Sequence, residues 1–120
     1  DQTRPNIHIK DMANVYRHFL ANPGLPSGCY NAGFENLRIG EIANRVQDSI
    51  GSEVIISESN DPRSYRQDSS KLLATGFKQK YSVQTAIEEI SNAYNNGSLP
   101  EGDNCYTVKW MKHLQLEAQS

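Results

Sequence analysis

The chain has 120 residues, enough for one small domain and short of two ordinary ones. Its hydrophobic share of 37% counts tyrosine and omits glycine; with glycine in place of tyrosine it is roughly 38%, below the roughly 45–50% of ordinary globular domains, so a thin core is expected. With 12 Lys+Arg against 14 Asp+Glu the net charge is −2, which gives no basic field for nucleic acid or anionic lipid and sets both aside as main partners.

Charged residues make up only 22% of the chain, and apolar residues recur periodically, which argues for folding over disorder. No apolar run approaches the roughly 20 residues of a membrane span, so a soluble protein is expected. Cys29 and Cys105 lack the spacing of a zinc or redox pair and are read as reduced, packed thiols. The chain opens at Asp1 and runs directly into an apolar alternation, as a segment of a longer protein would. Stretches 22–28, 57–65 and 95–104 are dense in Pro, Gly, Asn or Ser and read as loops within one domain, 1–120.

In chain order, residues 6–10 alternate with period two and predict a short strand. Asp11 reads as the N-cap of a helix whose apolar stripe is Met12, Val15, Tyr16, Phe19 and Leu20, stopped by Pro23-Gly24. Residues 29–32 predict a second strand ending at Gly33. Ile39, Ile42, Ala43, Val46 and Ile50 form a helical stripe closed by Gly51, and the β-branched run 53–57 predicts a third strand. Asp68 can cap a short helix through Leu73 that ends at Gly76, and Ser82 can cap a helix with stripe Val83, Ala86, Ile87, Ile90 and Tyr94. Asn95-Asn96-Gly97 ends it. Tyr106, Trp110 and Leu114 mark a last amphipathic helix. The fold class is α/β, mixed and helix-rich, with a few short strands and about five helices.

Familiar catalytic signatures are missing from this stretch. No Gly-rich turn of the dinucleotide-binding or P-loop type occurs, and no Tyr-x-x-x-Lys pair. His8, His18 and His113 fall on separate elements with no His-x-x-x-His spacing, so a metal site is not expected. His8 reads as a hydrogen-bonded packing residue and Glu88-Glu89 as an exposed helix face. Polar-ligand candidates remain: Arg4 at the entrance to the first strand, and Arg63, Tyr65 and Arg66 in one loop. Guanidinium forks suit phosphate oxygens; surface salt bridges are the plainer alternative.

Three blocks resemble the C-terminal portion of extended short-chain dehydrogenase/reductases, the NAD-dependent epimerase/dehydratase family that acts on nucleotide sugars. Arg4-Pro5-Asn6-Ile7-His8-Ile9-Lys10-Asp11-Met12-Ala13 resembles the family's Arg-Pro/Asp-x-hydrophobic-His-Val-x-Asp-hydrophobic-Ala block. Gly28-Cys29-Tyr30-Asn31-Ala32-Gly33 resembles its Gly-x-Tyr-Asn-hydrophobic-Gly block, with Glu41-Ile42-Ala43 on the helix that follows. The run from Asp61 to Lys71, with Gly76-Phe77 after it, resembles the Asp-x-Arg-x-Tyr-x-x-Asp-x-Ser-Lys block.

The resemblance implies the substrate-binding lobe of a Rossmann-type enzyme, in the cytoplasm. A missing N-terminal Rossmann domain would hold NAD(P) and the catalytic Ser/Thr, Tyr and Lys, with no cofactor and no catalytic residue in this chain. Arg4 inherits a role on the nucleotide diphosphate, Arg63 a similar one, and Tyr65 contact with the sugar or its nucleotide. The parent would be an epimerase, dehydratase or reductase, and the isolated chain inactive. Two departures stand out. Glu58 occupies a position where relatives place a diphosphate-binding arginine, so either Arg63 takes over or the substrate grip differs. Arg38 replaces a helix-capping Ser or Thr. A reading from another class is a non-catalytic binding or oligomerisation module, in which exposed helix stripes pair between copies as a homo-oligomer.

Overall fold

The computed structural model describes residues 2–58 and 62–114. Two strands and five α-helices occur among them: β1 (Thr3–Asn6), α1 (Ile9–Ala21), β2 (Glu35–Arg38), α2 (Ile39–Ile50), α3 (Ser70–Leu73), α4 (Val83–Asn95) and α5 (Thr107–His113), with a short 3-10 turn at Asp103–Cys105. The fold is thus a small mixed α/β arrangement with one two-stranded antiparallel sheet. In its register Arg4 faces Leu37 and Asn6 faces Glu35.

The first strand lies earlier than its alternation predicts. Residues 8–10 leave the strand because the His8 side chain turns back on the main chain: its Nδ1 accepts the Lys10 N–H at 3.1 Å and makes His8 the N-cap of α1. Asp11 is therefore a first-turn residue and not the cap. It is fully buried, and its Oδ2 accepts the N–H groups of Lys80 (3.0 Å) and Tyr81 (2.9 Å). One carboxylate thus ties α1 to the segment entering α4.

The second predicted strand, 29–32, is irregular, and the chain pairs instead through the more polar Glu35–Arg38. Tyr30 donates its hydroxyl to Pro26 O, and Gly33 is fixed by Ser69, so the local main chain is committed to loop contacts. The run 53–57 forms no strand. The observed order is β-α-β followed by helices.

Both of the longer stripe predictions after α1 correspond to helices. α2 ends where Gly51 takes a left-handed φ of 70°, a conformation that costs glycine little. Arg38, its N-cap, makes no side-chain capping bond. Ser82 Oγ accepts the Thr85 N–H at 3.1 Å at the start of α4. Beside it, Glu35 of β2 accepts the N–H of Val83, placing a carboxylate at the positive end of the helix.

The described residues up to Glu89 form one unit and those from Ile90 a second. In the first, the buried apolar side chains are Leu72 and Phe77, with Phe34 stacked on Phe77 at 5.6 Å. His8, Asp11 and Ser69 are buried with them. Among the described residues no buried side-chain nitrogen or oxygen lacks a partner, as the cost of burying an unpaired polar group requires. On α1, Phe19 is half-buried against Tyr30 at 4.8 Å, while Tyr16 and Leu20 are exposed. In the second unit Tyr106 is exposed and Trp110 stacks on His113 at 5.1 Å. Cys29 and Cys105 are free, and both are exposed and not packed.

Candidate functional site

The edge of β1 that faces away from β2 gathers Arg4, Arg63 and Tyr65, three of the four polar-ligand candidates. Alternate residues of an antiparallel strand bond to opposite sides. Gln2 O and Asn6 O serve the β2 side, accepting from Ile39 and Phe34. Thr3 points the other way: its O accepts the Tyr65 N–H at 3.2 Å, and its N–H donates to Ser64 Oγ at 3.0 Å. The loop bearing Arg63 and Tyr65 is therefore laid along β1 like a partial third strand.

Arg4 locks that arrangement. Its Nη1 donates to Thr3 O at 3.0 Å and to Arg63 O, and its Nη2 donates to Gln2 Oε1 at 2.7 Å. The guanidinium carbon lies 4.9 Å from the centroid of the Tyr65 ring, a cation–π contact worth about 0.5–1 kcal/mol where exposed. Arg63 enters the cluster through its carbonyl, and its side chain is exposed. Tyr65 is 54% exposed, and among the described residues its hydroxyl makes no hydrogen bond. The result is a cationic, aromatic edge with a phenol available to a polar ligand. Arg66 is exposed, and Glu58 is exposed outside the cluster.

The same loop is held on its other side by contacts less evident in the sequence. Asn36 of β2 pairs its side-chain amide with the Gln67 main chain, Nδ2 to O at 3.1 Å and Oδ1 from N–H at 2.8 Å. Ser69 and Gly33 bond reciprocally, Asn31 donates to Asp68 O at 3.1 Å, and Lys71 Nζ donates to Cys29 O at 2.9 Å. Lys71 also lies 4.4 Å from the centroid of the Tyr30 ring. Asn31 and Lys71 fall inside the quoted blocks, but their contacts join residues about forty positions apart, which no local spacing reveals.

Asp68 accepts both the N–H and the hydroxyl of Ser70, at 2.9 and 3.0 Å, and these bonds hold its carboxyl below the ordinary range. A second polar cluster lies at the start of α1. Lys10 Nζ donates to Glu89 Oε1 at 2.6 Å; that hydrogen bond raises the lysine pKa and lowers that of the glutamate. His8 stacks on Tyr81 at 4.8 Å and sets its Nε2 3.4 Å from Glu89. These contacts give His8 the packing role read for it and take Glu89 out of a merely solvated face.

An open groove of about 860 Å³ runs along α1, lined by Met12, Val15, Tyr16, Phe19, Leu25 and Tyr30. Arg4, Arg63 and Tyr65 do not line it. The strand-to-helix passages, Ile7-His8 after β1 and the direct Arg38–Ile39 junction after β2, contain no glycine. Among the described residues no group of three or more His, Cys, Asp or Glu side chains is placed to hold a metal ion, and no helix is long and apolar enough to cross a membrane.

No protein-family model, curated protein or solved structure matches this chain.

Proposed function

We propose that the chain is the substrate-binding lobe of a Rossmann-type extended short-chain dehydrogenase/reductase acting on a nucleotide sugar in the cytoplasm. What supports this reading is the convergence of the three resembling blocks: Arg4 of the first bonds Arg63 of the third, while Gly33 of the second exchanges hydrogen bonds with Ser69 of the third. Residues that resemble one family's pattern in sequence are also mutual partners in space.

In this reading Arg63 and Tyr65 face the ligand. The Arg63 guanidinium suits the diphosphate, and the Tyr65 ring and hydroxyl suit the sugar or its nucleotide. Arg4 contributes positive charge at that edge and, through its carbonyl contacts, holds the loop in place. NAD(P) would be bound by polypeptide outside this chain and would supply the hydride chemistry; this lobe contributes orientation. The enzyme would be an epimerase, dehydratase or reductase, and this chain alone would not turn over substrate.

The experiment is calorimetric titration of UDP-, dTDP-, GDP- and CDP-sugars into the full gene product, beside its Arg63→Ala and Tyr65→Ala variants. Binding of one nucleotide class that both substitutions weaken supports the assignment. A second reading, a non-catalytic binding or oligomerisation module, is favoured by the exposure of Tyr16 and Leu20 on α1; a light-scattering mass above the monomer without nucleotide-sugar binding would select it.

A further inference from the structure

Residues 52–58, Ser52-Glu53-Val54-Ile55-Ile56-Ser57-Glu58, hold a dense β-branched run that pairs with no strand among the described residues. The segment contains no turn or bend, and among the described residues none of its main-chain N–H or C=O groups makes a hydrogen bond. Ile55 is 83% exposed and Ile56 92%. Neighbouring side chains of a strand point to opposite faces, so in strand form this pair would be apolar on both. Runs of that kind belong to strands covered on both sides, and unpaired strand backbone is a template for another strand.

We propose that residues 52–58 are a docking strand that pairs, main chain to main chain, with an extended apolar segment of a partner polypeptide carrying Lys or Arg at each end. The backbone and the two isoleucines specify a strand. The basic ends follow from Glu53 and Glu58, which bracket the run and make no ion pair among the described residues. A second copy fits less well. Antiparallel pairing that opposes Ile55 to Ile56 sets Glu53 against Glu58, and in-register parallel pairing sets each glutamate beside its twin. This inference is independent of the nucleotide-sugar reading.

The test uses the isotope-labelled chain and two soluble hexapeptides, Lys-Thr-Val-Thr-Val-Lys and the same sequence with Glu at both ends. Amide shifts and hydrogen exchange are followed at Val54, Ile55, Ile56 and Ser57. The Lys-ended peptide should shift these amides saturably and slow their exchange, binding about fivefold more tightly than the Glu-ended one. The preference should reverse in a Glu53→Lys/Glu58→Lys variant, whose exposed substitutions leave the helical circular dichroism unchanged. Ile55→Lys should abolish the shifts. Unmoved amides, a preference that does not reverse, or a concentration-dependent dimer formed through this segment without peptide would overturn the proposal.

Discussion

Ser69 and Gly33 exchange two hydrogen bonds: Ser69 Oγ accepts the Gly33 N–H at 3.0 Å and donates to the Gly33 carbonyl at 2.9 Å. Both residues are buried. A single hydroxyl thereby satisfies the donor and the acceptor of one peptide residue thirty-six positions away, and fastens the loop after α1 to the start of α3.

Ser69→Ala removes both bonds and leaves a buried N–H and C=O unpaired. Unfolding in urea should show a loss of about 2 kcal/mol; a loss below about 0.5 kcal/mol would mean that water or a shifted main chain replaces the hydroxyl. Gly33→Ala probes the other partner, because a Cβ there would lie 2.4 Å from Gln67 Oε1 and 3.0 Å from Pro5 Cβ. The end of the flexible Gln67 side chain can swing away and Pro5 need give only a few tenths of an ångström, so Gly33→Ala should cost less than Ser69→Ala in the same urea titration.

Asp11→Ala leaves the N–H groups of Lys80 and Tyr81 without their acceptor. Charge-assisted bonds at a buried site make this the more costly change, about 3 kcal/mol by chemical denaturation. Exchange of the Lys80 and Tyr81 amides should accelerate together. Unchanged protection at those two amides would contradict the clamp.

The lowered pKa of Asp68 gives stability a definite dependence on pH. A carboxyl whose folded value lies below its unfolded value contributes fully above the unfolded value, about 4, and loses that contribution as pH falls through the folded value. The melting temperature should therefore fall below about pH 4, and Asp68→Asn, which keeps the shape but not the charge, should flatten part of that fall while lowering stability at pH 7. Glu89 adds a decline of the same sign. Lys10, raised by Glu89, acts at the other end: its contribution is present below the ordinary lysine range and is lost as pH rises through the raised value. An Asp68→Asn variant with an unaltered acid slope would contradict the assignment.

Arg4 and Arg63 should separate in behaviour. Arg4→Ala removes the one guanidinium bond to the loop, at Arg63 O, together with those to Thr3 O and Gln2 Oε1 and the cation beside Tyr65, so it should lower stability by about 1–2 kcal/mol and weaken ligand binding together. Arg63→Ala retains the carbonyl that Arg4 uses, so it should lower the melting temperature less than Arg4→Ala does and weaken binding by about tenfold, the equivalent of one charge-assisted contact. Thermal melts run beside calorimetry distinguish the two, and equal thermal penalties would refute the division of roles.

Elements with local signals were legible in the sequence. The α2 stripe closing at Gly51 and the Ser82 cap of α4 depend on residues three or four apart, which periodicity reads directly. The start of α1 was not, because residues 7–9 alternate like a strand while His8 caps a helix through its ring, and Asp11 serves main-chain groups some seventy residues away. Strand β2, Glu35-Asn36-Leu37-Arg38, has polar composition and exists by pairing with Thr3–Asn6. Conversely, residues 53–57 have every local mark of a strand and no partner among the described residues. At the candidate site, Arg4, Arg63 and Tyr65 stand out by their chemistry and by resemblance to a family pattern. Ser64, Asn36 and Gln67, which hold their loop on β1 and β2, give no local signal.

Calorimetric titration of the four nucleotide-sugar classes into the full gene product tests the central claim most directly. One class is expected to bind with a micromolar Kd, and Arg63→Ala and Tyr65→Ala should each weaken it by about tenfold while the helical circular dichroism is retained. Absence of binding by all four, or binding indifferent to both substitutions, would contradict it.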